Sequence, residues 1–309
     1  MTAAPAPTRL REKSSERRGG RSTPRGVRAP WHFIVPAAAV YVFVVLWPSV
    51  RGAGFAFTDW NGLTRERNYA GLDNFVEITR EPKASGAVVR TLIIAGVITI
   101  VQNLIGLLLA LGVNTAIKSR NFLRVMLFSP AVIAPVAVGF LWKNLYSTNG
   151  AINSVLGFFG VDFVSFLGDP DIALWSICAV VVWQFAGVSM VIFLANLQSV
   201  PQDIIEASHL DGAGPWRRWW HIIRPELAPS ITITTMLSLI GGLRLFDQVF
   251  VLTGGGPAGL TETMSTLLVK HAFSFGEYGY GIAMALALSV LVTVLAAAQF
   301  AVLRRQNRA

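Results

Sequence analysis

The residues best able to do chemistry in this chain are few, and most of them interrupt long apolar stretches. Arg244, Asp247 and Gln248 recur at i, i+3 and i+4, so an unbroken helix would carry all three on one face. Charges at membrane depth are costly unless they are paired or turned to a cavity. The trio is therefore a candidate functional surface, with an internal Arg244–Asp247 pair as the purely structural reading. A second constellation is Glu206-Ala207-Ser208-His209-Leu210-Asp211-Gly212-Ala213, followed by Ile222 and Pro225. Polar groups at this density cannot lie in a bilayer, and the roughly thirty residues from 198 to 229 are long for a mere connection. Enzyme chemistry is not expected. No GxxxxGK[ST] sequence occurs, so the chain has no P-loop of its own to hold ATP. Gly254-Gly255-Gly256-Pro257-Ala258-Gly259 satisfies GxGxxG formally, but it follows an apolar run rather than a βα unit, which suits a backbone turn. The four histidines (His32, His209, His221, His271) make no metal spacing. The lone Cys178 lies in an apolar stretch as a small filler, and no intrachain disulfide is possible.

The elements that must position these residues are membrane helices. Apolar residues make up 53% of the chain, charged residues only 14%, and the mean hydropathy is +0.54, a membrane profile. A spanning helix needs about 20 apolar residues to cover about 30 Å of hydrocarbon. Six segments qualify: 31–50, 92–117, 123–142, 172–197, 230–251 and 278–303. A cleaved leader is disfavoured at the first, because its apolar run continues well past Ala37-Ala38-Ala39. With the N-terminus inside, 17 of the 26 Lys and Arg fall on the inner side, eight of them in the first thirty residues. That bias predicts both termini and residues 198–229 in the cytoplasm, with 52–86, 147–171 and 254–277 outside. The basic segment 1–30, rich in Arg, Pro, Ser and Gly, is expected to be a disordered cytoplasmic tail, and 304–309 to be a short cytoplasmic tail at the other end. Its charge is better explained as an orientation signal beside a membrane span than as a nucleic-acid arm, so no nucleic-acid partner is expected. In the outer segment Asp73 is a candidate cap for a small helix through Phe75 and Ile78.

Within 198–229 the spacing predicts two short helices. Ser199 and Pro201 start the first, with Asp203 in its first turn, and Asp211-Gly212 breaks it through a positive φ at Gly212. Pro215 opens the second, where Trp216, Trp219, Trp220 and Ile223 form an apolar face opposite Arg217, Arg218, His221 and Arg224. Pro225 and Pro229 stop it. The alternative, an amphipathic helix lying on headgroups, accounts for the second helix but not for the Glu206, Asp211 and Gly212 spacing.

That spacing resembles the EAA signature of ATP-binding-cassette (ABC) importer permeases: Glu-Ala-Ala, three residues, Gly, nine residues, Ile, one residue, an apolar residue, Pro. Ser208 and Arg224 depart from it, at the third motif residue and at the usual leucine. Phe246-Asp247-Gln248, Leu252-Thr253-Gly254-Gly255-Gly256-Pro257 and Gly71-Leu72-Asp73-Asn74-Phe75 are similar to strings of the sugar-importer permeases of the maltose and glycerol-3-phosphate type, in particular the first of their two permease subunits. The resemblance implies an all-α, six-span type I importer fold of a bacterial cell membrane with cytoplasmic coupling helices. It implies a second, homologous permease, two cytoplasmic ATPase subunits that bind ATP and Mg, and an extracytoplasmic solute-binding protein, in some cases a lipoprotein. It assigns ATPase coupling to Glu206, Ala207, Asp211, Gly212, Ala213, Ile222 and Pro225, and no cofactor to this chain. It also places Gln184 and Phe185 in the region where the maltose-type permease touches sugar, which adds them to Arg244, Asp247 and Gln248 as candidate substrate contacts. An amide and an aromatic face suit a polyol, through paired hydrogen bonds and a stacking platform. Import of a non-sugar solute such as a glycerol phosphate diester or polyamine, or a non-transporting membrane scaffold, are the competing expectations.

Overall fold

The computed structural model describes residues 34–115 and 118–306. The tail 1–30, the start of the first predicted span at 31–33, the end of the second at 116–117, and residues 307–309 lie outside the described residues. The chain divides into two compact units, up to Ser49 and from Val50 onward. All regular structure among the described residues is helical, apart from one isolated bridge between Thr58 and Tyr69.

Helix α1, Ile34–Phe57, contains a π-turn at Val42–Leu46. After it come α2 (Asp73–Arg80), α3 (Pro82–Val113), α4 (Arg120–Phe128), α5 (Pro135–Leu145), α6 (Ala151–Phe158) and α7 (Ala173–Leu197). The finger and the remainder supply α8 (Gln202–Leu210), α9 (Pro215–Glu226), α10 (Ala228–Leu243), α11 (Asp247–Leu252), α12 (Met264–Val269) and α13 (Tyr278–Gln306). The small helix expected near Asp73 is present. Its cap position is Leu72, however, and Asp73 contributes only as an acid in the first turn.

Among the described residues, four helices (α1, α3, α7 and α13) are long and apolar enough to cross a membrane by themselves, and two bent pairs raise the number to six. The predicted span 123–142 is one of these pairs, bent by 99° between Arg120–Val132 and Pro135–Leu145. The cause is local. Pro135 opens α5, and a residue before proline is pushed out of the helical region, as the ψ of 134° at Ala134 shows. The predicted span 230–251 is also interrupted. Helix α10 ends at Leu243, Arg244 to Phe246 leave helical geometry, and α11 starts at Asp247. At 16 residues, α10 is about 24 Å long and short of a bilayer crossing. It reaches spanning length only together with α9, across a 66° bend.

The centre of the second unit is α3, which packs along both α7 and α10. One buried cluster joins Ile94 and Ile98 to Ile177, Val181 and Val249, and another joins Ala110 and Val113 to Met190, Phe193 and Leu227. Polar rungs cross the same interfaces: Gln102 Nε2 donates to Ser189 Oγ at 3.1 Å, and Asn103 Nδ2 to Ser238 Oγ at 2.7 Å. Such interhelical bonds contribute about 0.6 to 2 kcal/mol each where water is absent. A third cluster seats α12 and α13 against α2 and the first turns of α3. The glycine-rich string forms the expected turn, with positive φ at Gly254, Gly255 and Gly259 and no strand before it. It is held by Lys270 Nζ, which donates to Gly254 O at 2.7 Å and pairs with Glu262 at 2.6 Å.

Candidate functional site

Two features stand out, a cavity among the helices whose largely apolar wall carries several polar side chains, and a finger at one end of them. The cavity, of about 280 Å³, lies between α3, α7 and α10 at the break between α10 and α11. Phe185, Arg244, Asp247 and Gln248 all line it. They reach it differently from the sequence expectation. Arg244 follows the end of one helix and Asp247 opens the next, so the trio does not share a helix face. The break itself turns them inward. No ion pair joins Arg244 to Asp247 among the described residues, so the internal-pair reading is not what the structure shows. The exposed guanidinium and the half-buried carboxylate are both left for whatever enters.

Gln184 does not line the cavity. It is wholly buried, donates from Nε2 to Ile133 O at 3.0 Å and accepts from Gln248 Nε2 at 2.9 Å. The carbonyl of Ile133 is free because the chain leaves helical geometry before Pro135. One helix break is thus bonded to Gln184, and Gln184 positions Gln248 beside the other break. At that second break Thr263 Oγ1 donates to Leu245 O at 3.1 Å, satisfying another freed carbonyl.

Gln102, Ser189, Thr234 and Ser238 also line the cavity, and sequence reasoning missed them. Ser and Thr are unremarkable in membrane helices because their hydroxyls can bond carbonyls of the previous turn, as Thr234 does to Ser230 O at 2.9 Å. The signal that could have found the patch is Gln102-Asn103, two adjacent amides within an otherwise apolar stretch. The assembled wall offers guanidinium and amide donors, a carboxylate, hydroxyls and the rings of Phe185 and Phe246. These are groups able to hydrogen-bond and stack on a polyhydroxylated solute.

The finger follows α7. Pro201 stands just before α8, and Pro215 opens α9, as the sequence indicated. Between them Gly212 takes φ +70°, and two backbone bonds close the turn: Gly212 N–H to His209 O at 3.1 Å and Ala213 N–H to Ser208 O at 2.9 Å. Pro225 does not stop the second helix, which runs on to Glu226. A π-turn at Trp219–Ile223 precedes it, with the Arg224 N–H reaching back to Trp219 O. The wider turn absorbs a position at which proline offers no donor.

The aromatic face expected on α9 is divided. Trp219 and Ile223 pack onto the cluster at the ends of α3 and α7, whereas Trp216 and Trp220 are exposed, Trp216 at 73%. The Arg224 guanidinium lies 4.7 Å from the Trp220 ring centroid. Ile222 instead helps line a small cavity of about 140 Å³ between the two helices, with Ile205, Ser208 and Pro215. The Arg218 guanidinium sits against the His209 ring, a second tie between them. Glu206, Ala207 and Asp211 are exposed, and no side-chain hydrogen bond or ion pair engages Glu206 among the described residues. The finger therefore exposes an unpaired carboxylate together with the apolar side chains of Ile204, Leu210 and Trp216.

Comparison with known proteins gives concordant results. The family model described as binding-protein-dependent transport system inner membrane component matches residues 85–308. The multiple sugar-binding transport system permease protein MsmF of Streptococcus mutans is 31% identical over 277 residues, 89% of this chain and 95% of that protein. The probable starch degradation products transport system permease protein AmyD of Thermoanaerobacterium thermosulfurigenes is 30% identical over 90% of this chain and 94% of its own length. Among solved structures, a chain of a bacterial ABC transporter involved in the import of the acidic polysaccharide alginate superposes with a TM-score of 0.79. It is 22% identical, over 89% of this chain and 94% of that one, and shows the fold.

Proposed function

We infer, from the premise that this chain belongs to the family of binding-protein-dependent transport system inner membrane components, that it is the multi-pass permease subunit of a sugar importer and not an enzyme. The observation that carries the solute class is the cavity at the two helix breaks. There Arg244, Asp247, Gln248 and Phe185 meet the hydroxyls of Ser189, Thr234 and Ser238. A volume of about 280 Å³ takes a sugar unit or two of a longer chain, with hydrogen-bonding groups on several sides and rings to stack on. The relatives named for sugar and starch-product transport support the same class.

The rest of the machine follows as part of this proposal. With six spans, the fifth taken as the broken stretch 230–251 and not as α9 with α10, the Lys and Arg asymmetry supports a cytoplasmic position for both termini and the finger. Glu206 with Ala207, Asp211, Gly212, Ala213, Ile222 and Pro225 forms the element that engages a separate ATPase. Glu206 meets a basic residue there while Leu210 and Trp216 enter an apolar groove. ATP and Mg are held by two such ATPase subunits. A second, homologous permease closes the other half of the pathway, and a solute-binding protein delivers sugar from outside. Nucleotide then biases a two-state switch between inward- and outward-open forms.

The test is binding-protein-stimulated uptake of a panel of radiolabelled oligosaccharides by the reconstituted complex. Saturable uptake of at least one saccharide is expected. Transport of a phosphodiester or polyamine with no saccharide uptake overturns the sugar assignment.

A further inference from the structure

The polar groups of the cavity are not interchangeable donors and acceptors, because bonds elsewhere in the protein commit their hydrogens. Gln184 is the starting point. The carbonyl of Ile133 can only accept, so the Gln184 group 3.0 Å from it must be the amino group, Nε2. Gln184 Oε1 is thereby turned to Gln248, 2.9 Å away, and an amide oxygen can only accept as well. Gln248 must therefore meet it with Nε2, and its own Oε1 points elsewhere. That oxygen takes no hydrogen bond among the described residues and, unlike Asn103 Oδ1, is not sealed from solvent. Gln248 lines the cavity, so its free carbonyl is within reach of what enters.

A backbone carbonyl at one helix break thus sets the polarity of a side chain at the other, through a single buried amide. Gln102 shows the contrast. Its Nε2 donates to Ser189 Oγ at 3.1 Å, but a hydroxyl serves as donor or acceptor, so nothing fixes which end of that amide faces it. The hydroxyls of α10 lean the same way as Gln248. Thr234 Oγ1 gives its hydrogen to Ser230 O and Ser238 Oγ gives its own to Thr234 O, each at 2.9 Å, which leaves only their lone pairs. One lone pair of Ser238 Oγ already accepts from Asn103 Nδ2. Asp247 adds a carboxylate, and against these acceptors stands the Arg244 guanidinium, which only donates.

We propose that Gln248 is a specificity-determining residue that accepts a hydrogen from one hydroxyl of the solute, and that Gln184 is the positioning residue that keeps the Gln248 carbonyl turned to the cavity. The proposal rests on the sugar-importer reading and narrows it. At this point the pathway takes a group that can donate, a hydroxyl or an amine. It refuses one that only accepts, such as an ether, a carboxylate or a phosphate oxygen, because two facing acceptors leave the buried carbonyl unsatisfied.

The experiment uses the complete reconstituted complex with its binding protein. The probes are the saccharide identified by the uptake panel and its single-site deoxyfluoro derivatives, in which fluorine keeps roughly the size of a hydroxyl but has no hydrogen to donate. The affinity of each probe for the isolated binding protein is measured separately, and uptake efficiency (maximal rate over half-saturation) is corrected for it. In wild type, one derivative should lose about tenfold or more in corrected efficiency. In Gln248→Met the same derivative should come within about twofold of the parent, while the ratios at the other hydroxyls stay as in wild type. Gln248→Glu keeps an oxygen acceptor and should keep the discrimination. A discrimination that persists in Gln248→Met overturns the assignment. So does a variant that lowers parent and derivatives alike, since a merely structural role moves all probes together. A wild type that handles every derivative as its binding-protein affinity dictates overturns it without any variant having to fold. Uptake of no saccharide at all is a different result, and overturns the sugar reading together with what rests on it.

Discussion

Gly212 offers the sharpest test of the finger, because its substitution changes one backbone angle and nothing else. A Cβ built on Gly212 meets no atom within 4 Å, so the strain of any replacement comes entirely from φ +70°. For an L-residue the left-handed region costs roughly 1–2 kcal/mol, and a β-branched side chain tolerates it worst. Against this stand the two bonds that close the turn, from Gly212 N–H and Ala213 N–H, each contributing about 0.5–1.5 kcal/mol. Strain of that size rivals what holds α8 to α9, and about 1.4 kcal/mol already means a tenfold shift toward other finger geometries. Binding-protein-stimulated ATP hydrolysis, normalised to permease in the membrane, should therefore fall in the order Gly212, Gly212→Asn, Gly212→Ala, Gly212→Val. Asparagine ranks first among the replacements because it tolerates the left-handed region. ATPase recovered on purification through this chain should follow the same order, while membrane accumulation stays near wild type. Wild-type coupling in Gly212→Val would refute the reasoning, for it would show that the angle between the two short helices is immaterial.

Further outcomes are expected at other positions. Glu206→Lys should abolish ATPase co-purification without loss of accumulation, since the exposed carboxylate holds nothing within this chain; retention of the ATPase would remove it from the contact. Gln184→Leu should reduce accumulation, because it strands Ile133 O and Gln248 Nε2 at about 1–3 kcal/mol per unsatisfied group, whereas Arg244→Ala should raise the half-saturation of uptake at normal accumulation. The opposite assignment of phenotypes would exchange their roles. Gly187→Val should deplete the protein from the membrane, because any Cβ there meets the Leu127 carbonyl oxygen at the crossing of α7 and α4, an overpacking cost of about 1–3 kcal/mol. After replacement of Cys178, a cysteine at His209 should resist an impermeant thiol reagent added to intact cells, and labelling from outside would invert the topology.

Legibility in the sequence followed the length scale of the physics. Helices α7 and α13 were read almost to the residue, since an uncharged apolar run of this length has little else to be. The finger was also legible. Proline at two helix starts and glycine at the turn are local devices whose effect does not depend on tertiary context. The breaks were not read from hydropathy, because a window average carries no sign of a 99° bend. The warning lay in Pro130 and Pro135 for one break, and for the other in the pair Gly241-Gly242 followed by two charged residues. The division of the α9 aromatics was beyond sequence altogether. A face becomes inside or outside only once the ends of α3 and α7 arrive to cover Trp219 and Ile223 and leave Trp216 bare.

The two unread breaks are also where the candidate solute site lies. A continuous helix satisfies its own carbonyls and amides, so its interior has few polar groups to offer a solute. Breaking α10 from α11 and bending α4 away from α5 frees carbonyls at Leu245 and Ile133, and each must find a donor. Thr263 and Gln184 supply them, and Gln184 in turn holds Gln248 against the cavity. The same interruption lets Arg244 and Asp247 reach one cavity from two different helices. Restoring a straight helix through 243–247 would therefore remove the site even if every side chain were kept. The i, i+3, i+4 spacing of the trio belongs to a helix that does not exist, and its three side chains line one cavity because that helix is broken.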